Sequence, residues 1–262
     1  MTILEAIILG IIQGLSEFLP ISSSGHLEIG KALLGIEANE DVTFTVVVHG
    51  ATVLSTIVVF WKDIMGLFQG LFATKWNESK DYIAKIALSA IPVVIIGLFF
   101  REEVEGLFTN NVLLVGCMLL ITGSLLAFTY YTPKTGGPMT YKKSLIVGIA
   151  QALAVMPGIS RSGSTIATSL LLGVDKAKAA RFSFLMVLVP IIGANAKDIL
   201  DGGMANSSVA ATPLIIGFVA AFISGVIACK WMIKVVTKGK LIHFAYYCFA
   251  VGIIAIASHW IV

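Results

Sequence analysis

Six apolar segments dominate this sequence, and each is long enough to cross a lipid bilayer as a helix. A spanning helix needs about 20 mostly apolar residues, and in lipid every backbone polar group must be satisfied within the segment. The charged residues make up 13% of the chain, against about 25% in soluble domains. We therefore predict an all-α polytopic membrane protein with six transmembrane helices, at about 42–61, 82–100, 111–131, 181–199, 213–233 and 241–261.

Two further regions, 3–35 and 141–173, are apolar but interrupted. Each has an apolar arm, a break rich in proline, glycine and serine, and a second short arm. The breaks fall at 20–25 and 157–163, and neither arm alone comfortably spans a bilayer. Each region is therefore predicted to be a re-entrant helical hairpin, which enters and leaves the membrane on the same side.

The distribution of lysine and arginine predicts the orientation, because these residues accumulate in cytoplasmic loops. Fourteen of the 18 fall on one side if four loops share that side, namely those near 62–85, 132–143, 174–181 and 230–240. Both termini should then lie outside the cytoplasm. The net charge of +3 gives no indication of nucleic-acid binding.

The two broken regions are copies of one another. Residues 8–35 align without gaps on 146–173 at an offset of 138, with twelve of 28 positions identical. Each copy is followed by three predicted spans, and an odd number of spans inverts the second copy in the membrane. We expect a single membrane domain, 1–262, built as an inverted-topology repeat of about 1–135 and 138–262. In such folds the polar site forms where the interrupted helices of both halves meet near the midplane.

The sequence of the second break indicates an anion site. Arg161 is a lone cation in apolar surroundings and needs an anionic partner, either Glu17 or a bound ligand. The guanidinium suits phosphate, and the glycines of the break, Gly158 and Gly163, allow backbone N–H groups to approach an anion. A structural Arg161–Glu17 pair is the alternative. Hydroxyls surround the arginine at Ser160, Ser162, Ser164 and Thr165.

The first break supplies different chemistry. Glu17 lies four residues after Gln13, so both side chains share a helix face that leads to the serine-rich break. They are candidate ligands of Mg²⁺ or Ca²⁺; Glu17 is alternatively a general base, or merely the counter-charge of Arg161. His26 follows three consecutive serines, 22–24, so a nucleophile, a base and an acid are available together.

Three motifs in order resemble those of the bacterial undecaprenyl pyrophosphate phosphatases, also called bacitracin-resistance proteins. They are "QGLSE" from Gln13, "PISSSGH" from Pro20 and "PGISRSGST" from Pro157, and the segment layout is similar along essentially the whole chain. The family places Glu or Gln at the first motif position. Gln13 here weakens its claim to a charged role in metal binding.

The resemblance implies hydrolysis of a C55 isoprenoid pyrophosphate in the bacterial plasma membrane, with a divalent cation, Mg²⁺ or Ca²⁺. This reaction recycles the lipid carrier of cell-wall polymers and confers bacitracin resistance. By motif position the catalytic residues would be Glu17, Ser23, His26 and Arg161, with either Ser23 or His26 as nucleophile. The pyrophosphate would be bound by Ser22, Ser24, Gly25, Ser160, Ser162, Gly163 and Thr165, and the metal by Glu17 and Gln13.

The architecture leaves a second function open, because inverted repeats with paired hairpins are typical of transporters. The same cavity could flip a polyprenyl phosphate or carry an anion. A transporter needs Arg161 but has no need of an adjacent nucleophile and carboxylate.

Membrane lipid is an expected partner, and a homodimer is left open. Gly10 and Gly14 are expected to leave a groove for the lipid tail.

Overall fold

The computed structural model describes residues 1–36, 42–107, 111–132, 136–200 and 210–258. Across these ranges the chain is helical, and its β-structure is limited to one isolated bridge between Gly137 and Val174. The helices are α1 Ile3–Phe18, α2 Ser23–Leu34, α3 Val42–Val59, α4 Trp61–Leu71, α5 Glu78–Phe99, α6 Arg101–Glu105, α7 Val112–Phe128, α8 Tyr141–Leu153, α9 Arg161–Leu171, α10 Lys176–Met186, α11 Leu188–Leu200, α12 Ala211–Lys238 and α13 Ile242–Ser258.

Both predicted interrupted regions are helical pairs. Helices α1 and α2 form the first, and α8 and α9 form the second. The side chain of Thr2 caps α1, and Glu5 bonds back to the Thr2 backbone N–H, a reciprocal capping box. Gly35 ends α2 in the left-handed conformation at φ 67°, which glycine adopts without steric cost.

The predicted all-helical membrane class is confirmed. Within the described residues, four segments are long and apolar enough to span a bilayer: Glu78–Phe99, Val112–Tyr131, Lys176–Lys197 and Ala211–Lys238. A fifth is reached if α3 and α4, which meet at 77°, form one broken span. The sixth predicted span corresponds to α13, whose 17 residues are apolar but shorter; its predicted end, 259–261, lies outside the described residues.

The first arm of each hairpin packs against the second span of the opposite half, α1 on α12 and α8 on α5. The third spans, α7 and α13, pack against each other. This reciprocal arrangement is compatible with the predicted inverted repeat.

The sequence predicted a groove for the lipid tail at Gly10 and Gly14. This prediction is wrong, because a Cβ at Gly10 would lie 2.5 Å from the Gly217 carbonyl oxygen. Small residues here serve close helix packing.

Loops predicted to share one face of the membrane do contact one another. The Asp63 carboxylate and the Arg181 guanidinium form an ion pair at 2.7 Å. The Tyr141 hydroxyl donates to Asp81 over 2.7 Å, and the Asp175 N–H donates to the Gly137 carbonyl over 3.0 Å. These contacts are compatible with a single lysine-rich face.

Candidate functional site

The two hairpin breaks are built by the same local device. At the start of α2, the Ser22 hydroxyl accepts from the Gly25 N–H at 3.3 Å. At the start of α9, the Ser160 hydroxyl accepts from the Gly163 N–H at 3.0 Å. Serine is a favoured N-cap because its oxygen satisfies an otherwise unpaired helix N–H. Both helices therefore begin at the breaks and direct the positive ends of their dipoles there.

The two tips touch one another, as the repeat predicts. A Cβ added to Gly25 would lie 3.2 Å from Gly158 Cα, and one added to Gly163 would lie 3.1 Å from Pro20 Cβ. Gly25 pairs with Gly163 in the repeat, and Pro20 with Gly158, so these two contacts are equivalent. A side chain at either glycine would therefore require the opposite tip to shift by a few tenths of an ångström.

Glu17 connects the two tips. Its Oε1 lies 2.6 Å from the Arg161 NH2 nitrogen, which donates to it. Its Oε2 accepts from the Ser23 hydroxyl at 2.6 Å and from Gln13 Nε2 at 3.0 Å. The Glu17 side chain is 7% exposed, so its charge is compensated inside the protein by one cation and two neutral donors. A hydroxyl, a carboxylate and a guanidinium thus form one connected unit.

His49 is a neighbour of this unit that the sequence did not assign. Its Nε2 lies 3.9 Å from Glu17 Oε2, and its Nδ1 bonds the Thr45 carbonyl oxygen at 2.8 Å. His49, Thr52 and Thr56 recur at helical spacing on α3, and this periodicity of polar residues within an apolar span was the available signal.

A small cavity of about 20 Å³ lies against Glu17 and Arg161. A volume of this size holds roughly one water, so the closed site is too small for a pyrophosphate. The break between α10 and α11 borders it through Val187. The remaining lining comes from α1, α3 and α9 to α11, at Phe18, Thr52, Thr56, Ser162, Thr165, Ser183, Phe184 and Ile191.

Both ring nitrogens of His26 bond groups other than the Glu17 carboxylate. Its Nδ1 bonds the Ser22 carbonyl oxygen at 2.8 Å, and its Nε2 bonds the Tyr247 hydroxyl at 2.8 Å. The two rings also stack, with centroids 5.6 Å apart. His26 therefore holds Ser22, whose φ of 71° is strained for a residue with a Cβ, and it is not interposed between Ser23 and Glu17.

The other predicted phosphate-binding hydroxyls lie around the tips in different settings. The Ser24 hydroxyl is 3.3 Å from that of Ser22, and the Ser162 hydroxyl is 3.3 Å from that of Ser160. The Ser162 hydroxyl also donates to the Leu19 carbonyl across the tips. The Thr165 hydroxyl donates to the Arg161 carbonyl at 2.9 Å, so these residues brace the breaks.

The predicted metal ligands contribute two oxygen sources. Gln13 is fully buried, and its Oε1 has no hydrogen-bond partner. The nitrogen of the same Gln13 amide donates to the Glu17 carboxylate, so the carboxamide oxygen and the carboxylate are close together. Within the described ranges, no three His, Cys, Asp or Glu side chains cluster as metal ligands. The pair fits a hard cation that takes its other ligands from substrate phosphate and water.

Comparison with known proteins gives a result along the full chain. The model of the bacitracin resistance protein BacA family matches residues 6–254. An undecaprenyl-diphosphatase of Bacteroides fragilis is 54% identical over 256 residues, 96% of each chain. Proteins of the same name from Christiangramia forsetii and Halothermothrix orenii are 55% and 43% identical, each over 98% of both chains. The chain therefore belongs to the BacA family of bacitracin resistance proteins.

Proposed function

We propose that this protein is an undecaprenyl-diphosphatase, which hydrolyses undecaprenyl pyrophosphate to undecaprenyl phosphate and inorganic phosphate. The reaction returns the lipid carrier for peptidoglycan and other cell-wall polymers, and it confers resistance to bacitracin. Full-length similarity to relatives of that name supports the proposal. The observation that carries it is the Glu17 carboxylate, bonded at once to the Ser23 hydroxyl and the Arg161 guanidinium.

Ser23 is the proposed nucleophile. Its hydroxyl donates directly to the Glu17 carboxylate, which is the arrangement of a nucleophile and its general base. Ser23 Oγ forms a bond to the terminal phosphorus while the bond from that phosphorus to the bridging oxygen breaks. Glu17 takes the hydroxyl proton and passes it to the departing undecaprenyl phosphate. Water then attacks the phosphorus of the phosphoserine while the bond from phosphorus to Ser23 Oγ breaks, and inorganic phosphate leaves. Glu17 takes a proton from the water and returns it to Ser23 Oγ.

Arg161 is the proposed phosphate ligand. Glu17 binds the NH2 nitrogen, and a guanidinium has further N–H donors for phosphate oxygens. The N-termini of α2 and α9 add partial positive charge at the same place. Phosphoryl transfer depends mainly on positioning and on stabilising charge at the nonbridging oxygens, which these groups supply.

A divalent cation, Mg²⁺ or Ca²⁺, completes the proposed site. Gln13 Oε1 and the Glu17 carboxylate are the protein ligands, and the cation supplies positive charge against the phosphate oxygens.

The proposed location is the bacterial plasma membrane, with both termini outside the cytoplasm. A flippase or anion transporter would use Arg161 but would not need the Ser23–Glu17 hydrogen bond, so hydrolysis is the preferred function.

Release of phosphate from undecaprenyl or farnesyl pyrophosphate tests this function. Purified protein in detergent should release phosphate with Mg²⁺ or Ca²⁺ and stop when EDTA is added. Glu17→Gln removes the general base, and Arg161→Lys removes the planar guanidinium with its paired N–H donors. Each variant should therefore lower kcat/KM at least about 100-fold. His26→Ala should also remove most of the activity.

Two matched controls accompany these variants. Glu5→Gln changes a carboxylate at the exposed start of the same helix, and Arg181→Lys changes an arginine paired with Asp63. Both should keep activity near that of the parent. Unchanged turnover in the Glu17, His26 and Arg161 variants would overturn the site, and a parent that translocates lipid in vesicles without hydrolysis would overturn the function.

A further inference from the structure

A second and much larger cavity lies against the C-terminal part of the first hairpin's first arm, at Leu15 and Leu19. It is a groove of about 640 Å³ between the C-terminal parts of α1 and α12 and the N-terminal part of α13. It shares no lining residue with the small cavity. Most of its wall is apolar, at Leu15, Leu19, Ile21, Val235 and Phe244.

One end of the groove is strongly basic. Lys234, Lys238 and Lys240 line it, together with His243, and all four are exposed. None of the residues lining the groove is acidic. The three lysines belong to a loop region that the charge distribution predicts to be cytoplasmic. The groove therefore has a cationic mouth at a membrane face and an apolar body between helices.

The inner end of the groove is formed by Tyr247. This side chain is 42% exposed, and its hydroxyl bonds His26 Nε2. Leu19 and Ile21, from the break between α1 and α2, line the same end. The groove thus runs from the lysines inward to the first hairpin tip.

We propose that this groove binds an anionic phospholipid of the cytoplasmic leaflet. The lipid phosphate lies against Lys234, Lys238 and Lys240, and an acyl chain follows the apolar wall toward Tyr247. Basic pockets between transmembrane helices on the cytoplasmic side are suited to anionic lipid headgroups. A second copy of the chain is a poorer occupant, because it would have to bring acidic groups to three lysines. The proposal goes beyond hydrolysis and does not depend on it.

Trp231 lines the groove and provides a direct probe. Replacing Trp61, Trp76 and Trp260 with phenylalanine leaves it as the sole tryptophan. This single-tryptophan variant is placed in nanodiscs of neutral phosphatidylcholine that contain a small, fixed fraction of brominated lipid. We expect brominated phosphatidylglycerol to quench Trp231 at least about twofold more than brominated phosphatidylcholine, and added salt should reduce the difference.

A triple variant, Lys234→Gln, Lys238→Gln and Lys240→Gln, should remove the preference for the anionic lipid. Its matched control is Lys142→Gln with Lys143→Gln, which lowers the charge of the same predicted face outside the groove and should keep the preference. Equal quenching by both lipids in the parent overturns the proposal, as does a preference that survives in the triple variant. Weak quenching by both lipids in a dimeric protein overturns it in favour of a second copy. Phosphate release is not the readout, so loss of hydrolysis and loss of lipid binding are told apart.

Discussion

At the scale of single residues, Glu17 and Arg161 explain how two charges are accommodated in an apolar chain. A lone charge at the centre of a spanning helix costs about 2.5–3.5 kcal/mol on insertion scales. Here the carboxylate and the guanidinium are 2.6 Å apart, and the partners are separated by 144 residues in the chain. The need for a counter-charge is readable from the sequence, which left the partner of Arg161 open between Glu17 and a bound ligand; the structure shows the pair with Glu17.

The sequence left the nucleophile open between Ser23 and His26, and spacing could not decide between them. Both residues lie in the first turn of α2, and the direction of each side chain depends on the backbone of Ser22. A positive φ at a serine is not a local preference of the sequence; it is imposed by the packed tip. His49 was left without a role for a related reason, since only the packing of α3 against α1 brings it near Glu17.

The chemical stability of a trapped phosphoenzyme distinguishes the two nucleophiles. After rapid acid quenching with substrate labelled in the terminal phosphate, we expect an acid-stable phosphoserine in the peptide that contains Ser23. Ser23→Ala should abolish this label together with turnover. Ser144→Ala is the matched control, because it removes a buried hydroxyl that bonds only within α8, and it should keep both. An acid-labile, base-stable label on His26 would contradict the assignment.

At the scale of helices, the position of Glu17 depends on how closely α1 approaches α12. A Cβ at Gly14 would lie 2.1 Å from Ser224 Oγ and 2.4 Å from the Ala221 carbonyl oxygen. The serine can rotate, but the carbonyl cannot move without its helix. Sequence reasoning treated the glycines of α1 as space for a ligand, and it could not have found their partner, because α12 lies about two hundred residues away and helix pairing is a tertiary property.

Substituting Gly14 tests this packing. Gly14→Ala should force α1 and α12 apart at a cost of about 1–3 kcal/mol, lower the melting temperature in detergent by several degrees, and reduce phosphate release because Glu17 is displaced. Thermal denaturation followed by size-exclusion chromatography measures the first effect. Gly97→Ala is the control, since a Cβ there meets nothing within 4 Å, and it should leave both quantities nearly unchanged. Equal effects at the two positions would contradict close packing as the reason for Gly14.

At the scale of the whole molecule, the sequence predicted the class of fold and the meeting of the two tips. Apolar length and the position of the polar breaks carry this information, because the bilayer tolerates few backbone arrangements. Helix α4 was not predicted; the bend that separates it from α3 falls at Phe60, one residue before the predicted end of the span, and Lys62 and Asp63 follow in the first turn of α4. The division into two repeats, the number of spans and the orientation remain predictions.

Labelling of single cysteines tests the orientation. In a background without Cys117, Cys229 and Cys248, Thr2→Cys should react with a membrane-impermeant maleimide in intact cells. Lys75→Cys, in the lysine-rich face, should react only after the membrane is permeabilised. The reverse pattern would invert the topology, and it would place the lysine-lined groove in the other leaflet.

The small cavity beside Glu17 and Arg161 has a consequence for charge balance. At rest the pair is neutral, and the enclosed space holds little more than a water. A pyrophosphate that enters brings more negative charge than one guanidinium can balance, and Glu17 adds to the excess. Buried charge without compensation is costly. We therefore expect substrate and divalent cation to bind together, each raising the apparent affinity of the other.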